Sequence, residues 1–140
     1  MAIKTTKPDI YSAMFALNTG FDLLKSARDK FDLRSYIEAF DLARDSIRMA
    51  SSAVLFKDGY ISDNFEDTKA YMIRNYPGSY PMTDWQKIEV ESIQEKGGML
   101  GILLEAFEKI QKGEEKKAKH ALVSAERFLD SARNHVSPQE

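Results

Sequence analysis

The segment from residue 35 to Gly59 constrains the fold most, because it reads as one amphipathic helix with both ends marked. Apolar or small residues recur along it at alternating spacings of four and three, a rhythm that fits a helix and not a strand. Ser35 and Glu38 have the spacing of a capping box, and Gly59 is a typical stop. The segment therefore predicts a helix over 35–58. The periodic positions are Tyr36, Phe40, Ala43, Ile47, Ala50 and Val54.

Similar periodicity predicts further helices in the rest of the chain. Thr6 is the expected cap of the first, with Pro8 in its first turn. Asp63 and Glu66 have capping spacing before the third, and Gly113 separates the last two. We therefore predict a single all-α domain over residues 1–140, an up-and-down bundle of about five helices. The four further helices are predicted over residues 8–31, 65–75, 83–112 and 114–136.

Composition excludes several classes of protein. The chain has no Cys, so disulfides and Cys-ligated metal sites are excluded. No apolar run approaches the ~20 residues of a membrane span. The chain has 20 basic and 22 acidic residues. Its net charge of −2 therefore produces no overall electrostatic field that would attract nucleic acid. We expect a soluble cytoplasmic protein with no membrane contact, no metal and no cofactor.

Residues 50–60 and 121–133 resemble parts of a known family. In prokaryotic HEPN domains, a second helix rich in small residues ends in a turn before a short helix, as Ala50-Ser51-Ser52-Ala53-Val54-Leu55-Phe56-Lys57-Asp58-Gly59-Tyr60 does here. The stretch from Ala121 to Arg133 resembles the closing helix of that family. The resemblance implies a helical bundle that commonly forms dimers. It also implies a toxin–antitoxin-like setting, in which members cleave RNA or act as partners of small nucleotidyltransferases.

The cleaving members share an Arg followed, after four to six residues, by a His. The His residues of this chain are His120 and His135, and neither has an Arg at that spacing. Arg127 precedes His135 by eight positions, which is about 12 Å along a helix axis. Arg133 precedes it by two positions and therefore lies on another face. The ribonuclease activity is not implied for this chain.

Two groups of residues remain candidates for binding nucleic acid. Arg127, Arg133 and His135 offer guanidinium donors and an imidazole to a phosphate; the alternative is a solvated helix end, where cations suit the dipole. Arg74 and Tyr76 lie in the most aromatic segment, with Tyr71, Tyr80 and Trp85, and suit single-stranded RNA. The alternative there is a loop packed by its own aromatic side chains.

Carboxylates spaced along the second helix suggest a surface and not an active site. Asp41 and Asp45 alternate with Arg44 and Arg48, which predicts ion pairs on a solvated face. A di-iron bundle would need Glu-x-x-His on two helices, and the chain contains no such motif.

We expect a non-catalytic interaction protein, a homodimer that works with a protein partner or with RNA. The small residues Ala43, Ser46, Ala50 and Ala53 would allow close helix contact, either between copies or inside one copy. One alternative is a ribonuclease whose Arg and His site forms across a dimer. Another is a ligand-binding bundle with its pocket near Trp85.

Overall fold

The computed structural model describes residues 3–76 and 104–137, which are mostly helical. The all-α fold class is therefore confirmed for these residues. The helix predicted over 83–112 falls outside them up to residue 103, so the count of five helices stays a prediction. In chain order the elements are β1 (Ile3–Thr5), α1 (Ile10–Asp32), α2 (Tyr36–Asp58), β2 (Tyr60–Ser62), α3 (Phe65–Asn75) and α4 (Leu104–Val136).

The predicted start of α1 is wrong by two residues, because Asp9 and not Thr6 caps the helix. The Asp9 carboxylate accepts hydrogen bonds from the hydroxyl (2.6 Å) and the backbone N–H (2.9 Å) of Ser12. These bonds hold the pKa of Asp9 below its ordinary value. The N–H of Thr6 donates instead to the Gly59 carbonyl at 2.8 Å, which ties Thr6 to the end of α2.

A three-residue reversal joins α1 to α2. Arg34 adopts a left-handed conformation with a φ of 62°, and the Ser35 N–H donates to the Lys30 carbonyl at 2.8 Å. This is the Schellman arrangement, which usually places glycine where Arg34 lies. At the far end of the pair, the Asp9 N–H donates to the Phe56 carbonyl at 2.9 Å. The two helices are therefore antiparallel, as predicted.

The capping box predicted at the start of α2 is wrong, although the helix itself is confirmed. The Ser35 side chain makes no capping hydrogen bond. A capping box also needs the Ser35 N–H for Glu38, and that N–H already belongs to the reversal. Glu38 pairs with Lys30 instead, at 3.0 Å. Gly59 ends α2 in the left-handed conformation, with a φ of 87°, as predicted.

Two short strands, β1 and β2, were not predicted from the sequence. β1 pairs antiparallel with β2, with Ile3 opposite Ser62 and Thr5 opposite Tyr60. Three residues are too few to show an alternating pattern. The pairing extends the contact between the start of α1 and the end of α2.

α3 covers the predicted residues 65–75, but its predicted cap is wrong by one position. Asn64, not Asp63, precedes the helix, and its side-chain oxygen accepts from the Asp67 N–H at 2.9 Å. Glu66 pairs with Lys69 at 3.3 Å. Asn and Asp are nearly equal as caps, so adjacent candidates cannot be separated from their side chains alone.

The last helix, α4, is continuous from Leu104 to Val136, so the boundary predicted at Gly113 is wrong. A Cβ added at Gly113 would meet nothing within 4 Å. A glycine inside a helix costs about 1 kcal/mol relative to alanine. Helix-forming Glu and Lys residues follow Gly113, so the helix can tolerate that cost. The end near Val136 agrees with the prediction.

The core lies where α1, α2 and α4 pack together. Arg28 pairs with Glu126 at 3.1 Å, and Arg133 lies 5.4 Å from the ring centroid of Phe21. Later residues of α4 therefore contact earlier residues of α1, and the two helices are antiparallel. Burial of a large apolar side chain here contributes about 2–3 kcal/mol. The largest fully buried side chains include Phe40, Phe128, Leu24, Ile47, Leu55 and Leu129.

The small-residue face of α2 is used inside the monomer. Its residues Ala43, Ser46, Ala50 and Ala53 are all fully buried. The Ser46 hydroxyl donates to the Ala43 carbonyl at 2.6 Å, which satisfies it without an outside partner. A Cβ added at Gly20 of α1 would lie only 3.2 Å from the Ser46 carbonyl oxygen. Of the two uses expected from sequence for this face, contact inside one copy is therefore the one observed, and contact between copies through it is not.

The outer face of α2 carries the predicted ion pairs. Arg44 lies 3.5 Å from Asp41, and Arg48 lies 3.8 Å from Asp45. Such half-exposed pairs contribute little to stability. None of the helices in the described residues has the length and apolarity needed to cross a membrane.

Candidate functional site

Four polar side chains from three helices meet at one end of the bundle. Asp58 is the last residue of α2, Tyr71 belongs to α3, Tyr76 follows α3, and His135 lies in the last turn of α4. Gly59 stops α2 directly after Asp58, which fixes the position of that carboxylate. These four residues are called the Asp58 cluster below.

Asp58 is the acceptor at the centre of the cluster. Tyr71 donates its hydroxyl proton to Oδ2 at 2.7 Å, and Tyr76 donates to the same oxygen. His135 Nε2 lies 2.8 Å from Oδ1. The Asp58 and His135 side chains are 17% and 26% exposed, so water reaches both only in part.

The hydrogen bonds fix where the imidazole proton lies. An ionised carboxylate can only accept, so Nε2 of His135 must carry a proton to bond Asp58. In the neutral imidazole, Nδ1 then has the lone pair. Both hydrogen-bond contacts described for His135 involve Nε2, the second being with the Tyr76 hydroxyl at 3.4 Å. The cluster therefore presents an imidazole that is oriented through the contact of its Nε2 with Asp58.

The environment keeps the two phenols neutral. Burial raises the pKa of Tyr71 and of Tyr76 well above the ordinary value, and the hydrogen bond and negative charge of Asp58 raise it further. A phenolate beside that carboxylate would place two negative charges together. The tyrosines therefore act as hydrogen-bond donors and not as bases.

Aromatic contacts hold the cluster against its surroundings. The rings of Tyr60 and Tyr71 lie 5.1 Å apart, and those of Tyr71 and Tyr76 lie 6.3 Å apart. Tyr76 meets the His135 ring edge-on at 5.0 Å. Such pairs add roughly 0.5–1.5 kcal/mol each beyond their buried area.

The structure brings together two of the five residues predicted to bind nucleic acid. His135 and Tyr76 are in contact within the Asp58 cluster, whereas Arg74 and Arg127 are exposed elsewhere. The carboxylate of Asp58 disfavours a phosphate at this place, since like charges repel. The aromatic neighbours Tyr80 and Trp85 lie outside the described residues.

Arg133, the fifth predicted residue, faces α1 and not the cluster. Its guanidinium lies over the ring of Phe21 and donates to Asp130 at 3.1 Å. It is two positions from His135 and therefore on a different face of α4. The two residues do not form one site within a single chain.

Sequence reasoning missed Asp58, the residue on which the cluster depends. Asp58 and His135 are 77 positions apart, and no local pattern connects them. The only indication in the sequence was that Asp58 directly precedes the helix stop Gly59. A carboxylate there lies at the negative end of the helix dipole. A carboxylate in that unfavourable position indicates that hydrogen-bond donors lie close to it.

A second feature is an exposed aromatic face on α1. Tyr11 is 87% exposed and Phe15 is 74% exposed, one helical turn apart. Among the described residues, Leu33 at 73% is the other large apolar side chain of similar exposure, and it lies at the far end of α1. Paired exposed aromatic residues are typical of protein contact surfaces.

Within the described residues, no three His, Asp or Glu side chains are grouped to hold a metal ion. Comparisons of the chain with protein-family models, with curated proteins and with solved structures found no match. The HEPN resemblance stays a prediction from the residues quoted above.

Proposed function

We propose that this protein is a non-catalytic, HEPN-like helical bundle that acts by binding proteins, first of all a second copy of itself. The observation that carries the proposal is the exposed pair Tyr11 and Phe15 on α1. Buried aromatic side chains supply much of the energy of protein interfaces. The resemblance adds a further partner, either a small nucleotidyltransferase or RNA. The absence of Cys suits a cytoplasmic setting.

The contact face proposed here is on α1 and not on α2, whose small residues were one of two places considered from sequence. The small residues of α2 are enclosed by α1 and α4, so they are not accessible to a second copy. The outward face of α1 is accessible. Its first half carries the aromatic residues Tyr11 and Phe15, and its second half carries the charged residues Asp22, Lys25 and Asp29. An antiparallel pair of α1 helices would set the aromatic half of one copy beside the charged half of the other.

The oligomeric state of two matched variants tests this proposal. Phe15 and Leu33 are equally exposed, so Phe15→Ser and Leu33→Ser remove similar exposed apolar surface. We expect light scattering after size exclusion to show a dimer for the wild type and for Leu33→Ser, and a monomer for Phe15→Ser. A wild-type monomer at every concentration, or equal effects of the two changes, would contradict the proposal.

A second candidate function is RNA cleavage with His135 as the general base. The Asp58–His135 contact favours it, because a carboxylate on one imidazole nitrogen orients the other toward a substrate proton. The arginine needed to stabilise the phosphate would come from a neighbouring subunit. The candidate ranks second because Asp58 brings negative charge to the same place.

Cleavage of single-stranded RNA by the purified protein tests this second candidate. His135→Gln keeps an N–H for Asp58 but removes the base, while His120→Gln is the matched control on the same helix. Loss of cleavage in His135→Gln alone would favour the enzyme over the binding protein. No cleavage by the wild type above the protein-free rate would exclude it.

A further inference from the structure

A cavity of about 350 Å³ lies between the first half of α1 and the end of α4. Its volume is at the lower end of the range for small-molecule sites, about 300–1,000 Å³. Its lining divides into an apolar part and a polar part. The apolar part is Met14, Leu17 and Phe21, and the polar part is Asn18, Arg133 and Ser137.

Arg133 is the charged member of this lining. Its guanidinium has five N–H donors, and the hydrogen bond to Asp130 at 3.1 Å uses one of them. Its stacking 5.4 Å from the Phe21 ring centroid holds the planar group beside the apolar part of the cavity. A bidentate pair with a carboxylate suits such an oriented guanidinium.

We propose that this cavity binds a small monocarboxylate with an apolar tail. The tail lies on Met14, Leu17 and Phe21, and the carboxylate pairs with Arg133. A doubly charged phosphate suits the cavity less well, because Asp130 and the negative end of α4 both repel it. This site borders the proposed dimer contact, because Asn18 lies on the same exposed face of α1 as Phe15, but the contacts proposed for the ligand come from one copy and do not need a second.

Octanoate and 1-octanol distinguish this proposal from simple apolar binding, since they share a tail and differ in charge. Each is titrated into the isotope-labelled full chain and followed by amide NMR shifts. We expect octanoate to shift the signals of Met14, Leu17 and Asn18 and to bind at least about tenfold more tightly than 1-octanol, as a charge-assisted hydrogen bond implies.

Three positions on α4 provide the variants. Arg133→Gln should weaken octanoate binding by roughly tenfold and leave 1-octanol unchanged. Arg127→Gln removes an equal charge from another face of α4 and should leave both unchanged. Asp130→Asn should tighten octanoate binding several-fold, because it removes a carboxylate that competes for Arg133. A merely structural role for Arg133 does not predict this gain in affinity.

Circular dichroism and thermal melting establish that each variant is folded before binding is compared. Equal affinity for octanoate and 1-octanol would overturn the proposal. Equal losses in Arg133→Gln and Arg127→Gln, or shifts confined to residues away from the cavity, would also overturn it. Failure of the dimer test would leave these outcomes unaffected, because they are measured on residues of one copy.

Discussion

Asp58 shows how a single residue can organise the end of a bundle. As the last residue of α2 it lies at the negative pole of that helix, where a carboxylate is disfavoured by about 0.3–1 kcal/mol. Donors from Tyr71, Tyr76 and His135 offset that cost. The residue therefore links three helices through contacts that each helix alone would lack.

The tyrosines of the cluster make the folded state sensitive to alkali. Their pKa values are raised in the folded chain, whereas unfolded phenols ionise near pH 10, at about their ordinary pKa. The stabilisation is fully present below that pH and is lost above it, since the unfolded chain releases its protons first. We expect the free energy of unfolding in urea to fall between about pH 9 and about pH 11.

The matched control for this prediction is the double variant Tyr71→Phe with Tyr76→Phe. Its free energy of unfolding should fall less steeply over the same pH range. Identical slopes for the wild type and the double variant would contradict the assigned role of the phenols.

Arg34 is strained in the reversal between α1 and α2. Its φ of 62° lies in the left-handed region, which costs a residue with a Cβ roughly 1–2 kcal/mol. Arg34→Gly should therefore raise the free energy of unfolding by about 1 kcal/mol, measured by urea titration. Leu33→Gly is the control and should not stabilise, because the φ of Leu33 is −84°. A loss of stability in Arg34→Gly would contradict the prediction.

At the scale of the elements, two glycines with different surroundings have opposite expected effects. Gly113→Ala should stabilise α4 by up to about 1 kcal/mol, because the site is helical and open. Gly59→Ala should destabilise by more than about 1 kcal/mol, since its φ is 87°. A Cβ there would also lie 2.9 Å from the Thr6 carbonyl oxygen.

Thermal melting of the two alanine variants measures both effects against one wild type. Helicity from circular dichroism should stay constant in Gly113→Ala, since the helix is already continuous. A gain in helicity there would mean that Gly113 interrupts α4, as the sequence analysis predicted. Equal melting temperatures for the wild type and Gly59→Ala would contradict the close contact with Thr6.

The elements also show what a sequence can and cannot predict. The bodies of α1, α2 and α3 were predicted because helical periodicity is local and survives in any packing. The cap at Asp9 and the two strands were not predicted. They depend on which of several nearby or distant partners forms a hydrogen bond with a given backbone group. The Asp58–His135 contact joins residues 77 positions apart, and only the packing of α4 beside α2 brings them together.

For the whole molecule, the features of interest gather at one end of the bundle. α1 begins there, and α2 and α4 end there. The aromatic pair, the cavity and the Asp58 cluster therefore lie at the same end of the bundle. Phe15, Arg133 and His135 are not fully buried, so each of the three features can be altered at a position outside the core.

The core itself provides a test of where the small residues of α2 act. Ala50→Leu adds volume beside Gly20, where the Ala50 backbone nitrogen is already close. We expect a loss of about 1–3 kcal/mol in the free energy of unfolding. The oligomeric state of the folded protein should be unchanged, because this face is enclosed. A monomer with wild-type stability would instead place these residues at a contact between copies.

The short reversal at residues 33–35 has a consequence for the order of folding. Closing a short loop costs little entropy, whereas bringing α4 back to the end of α2 closes a much longer one. We expect the α1–α2 hairpin to be formed in the transition state before α4 docks. Refolding rates should then respond to changes at the reversal, while changes at His135 should act mainly on the rate of unfolding.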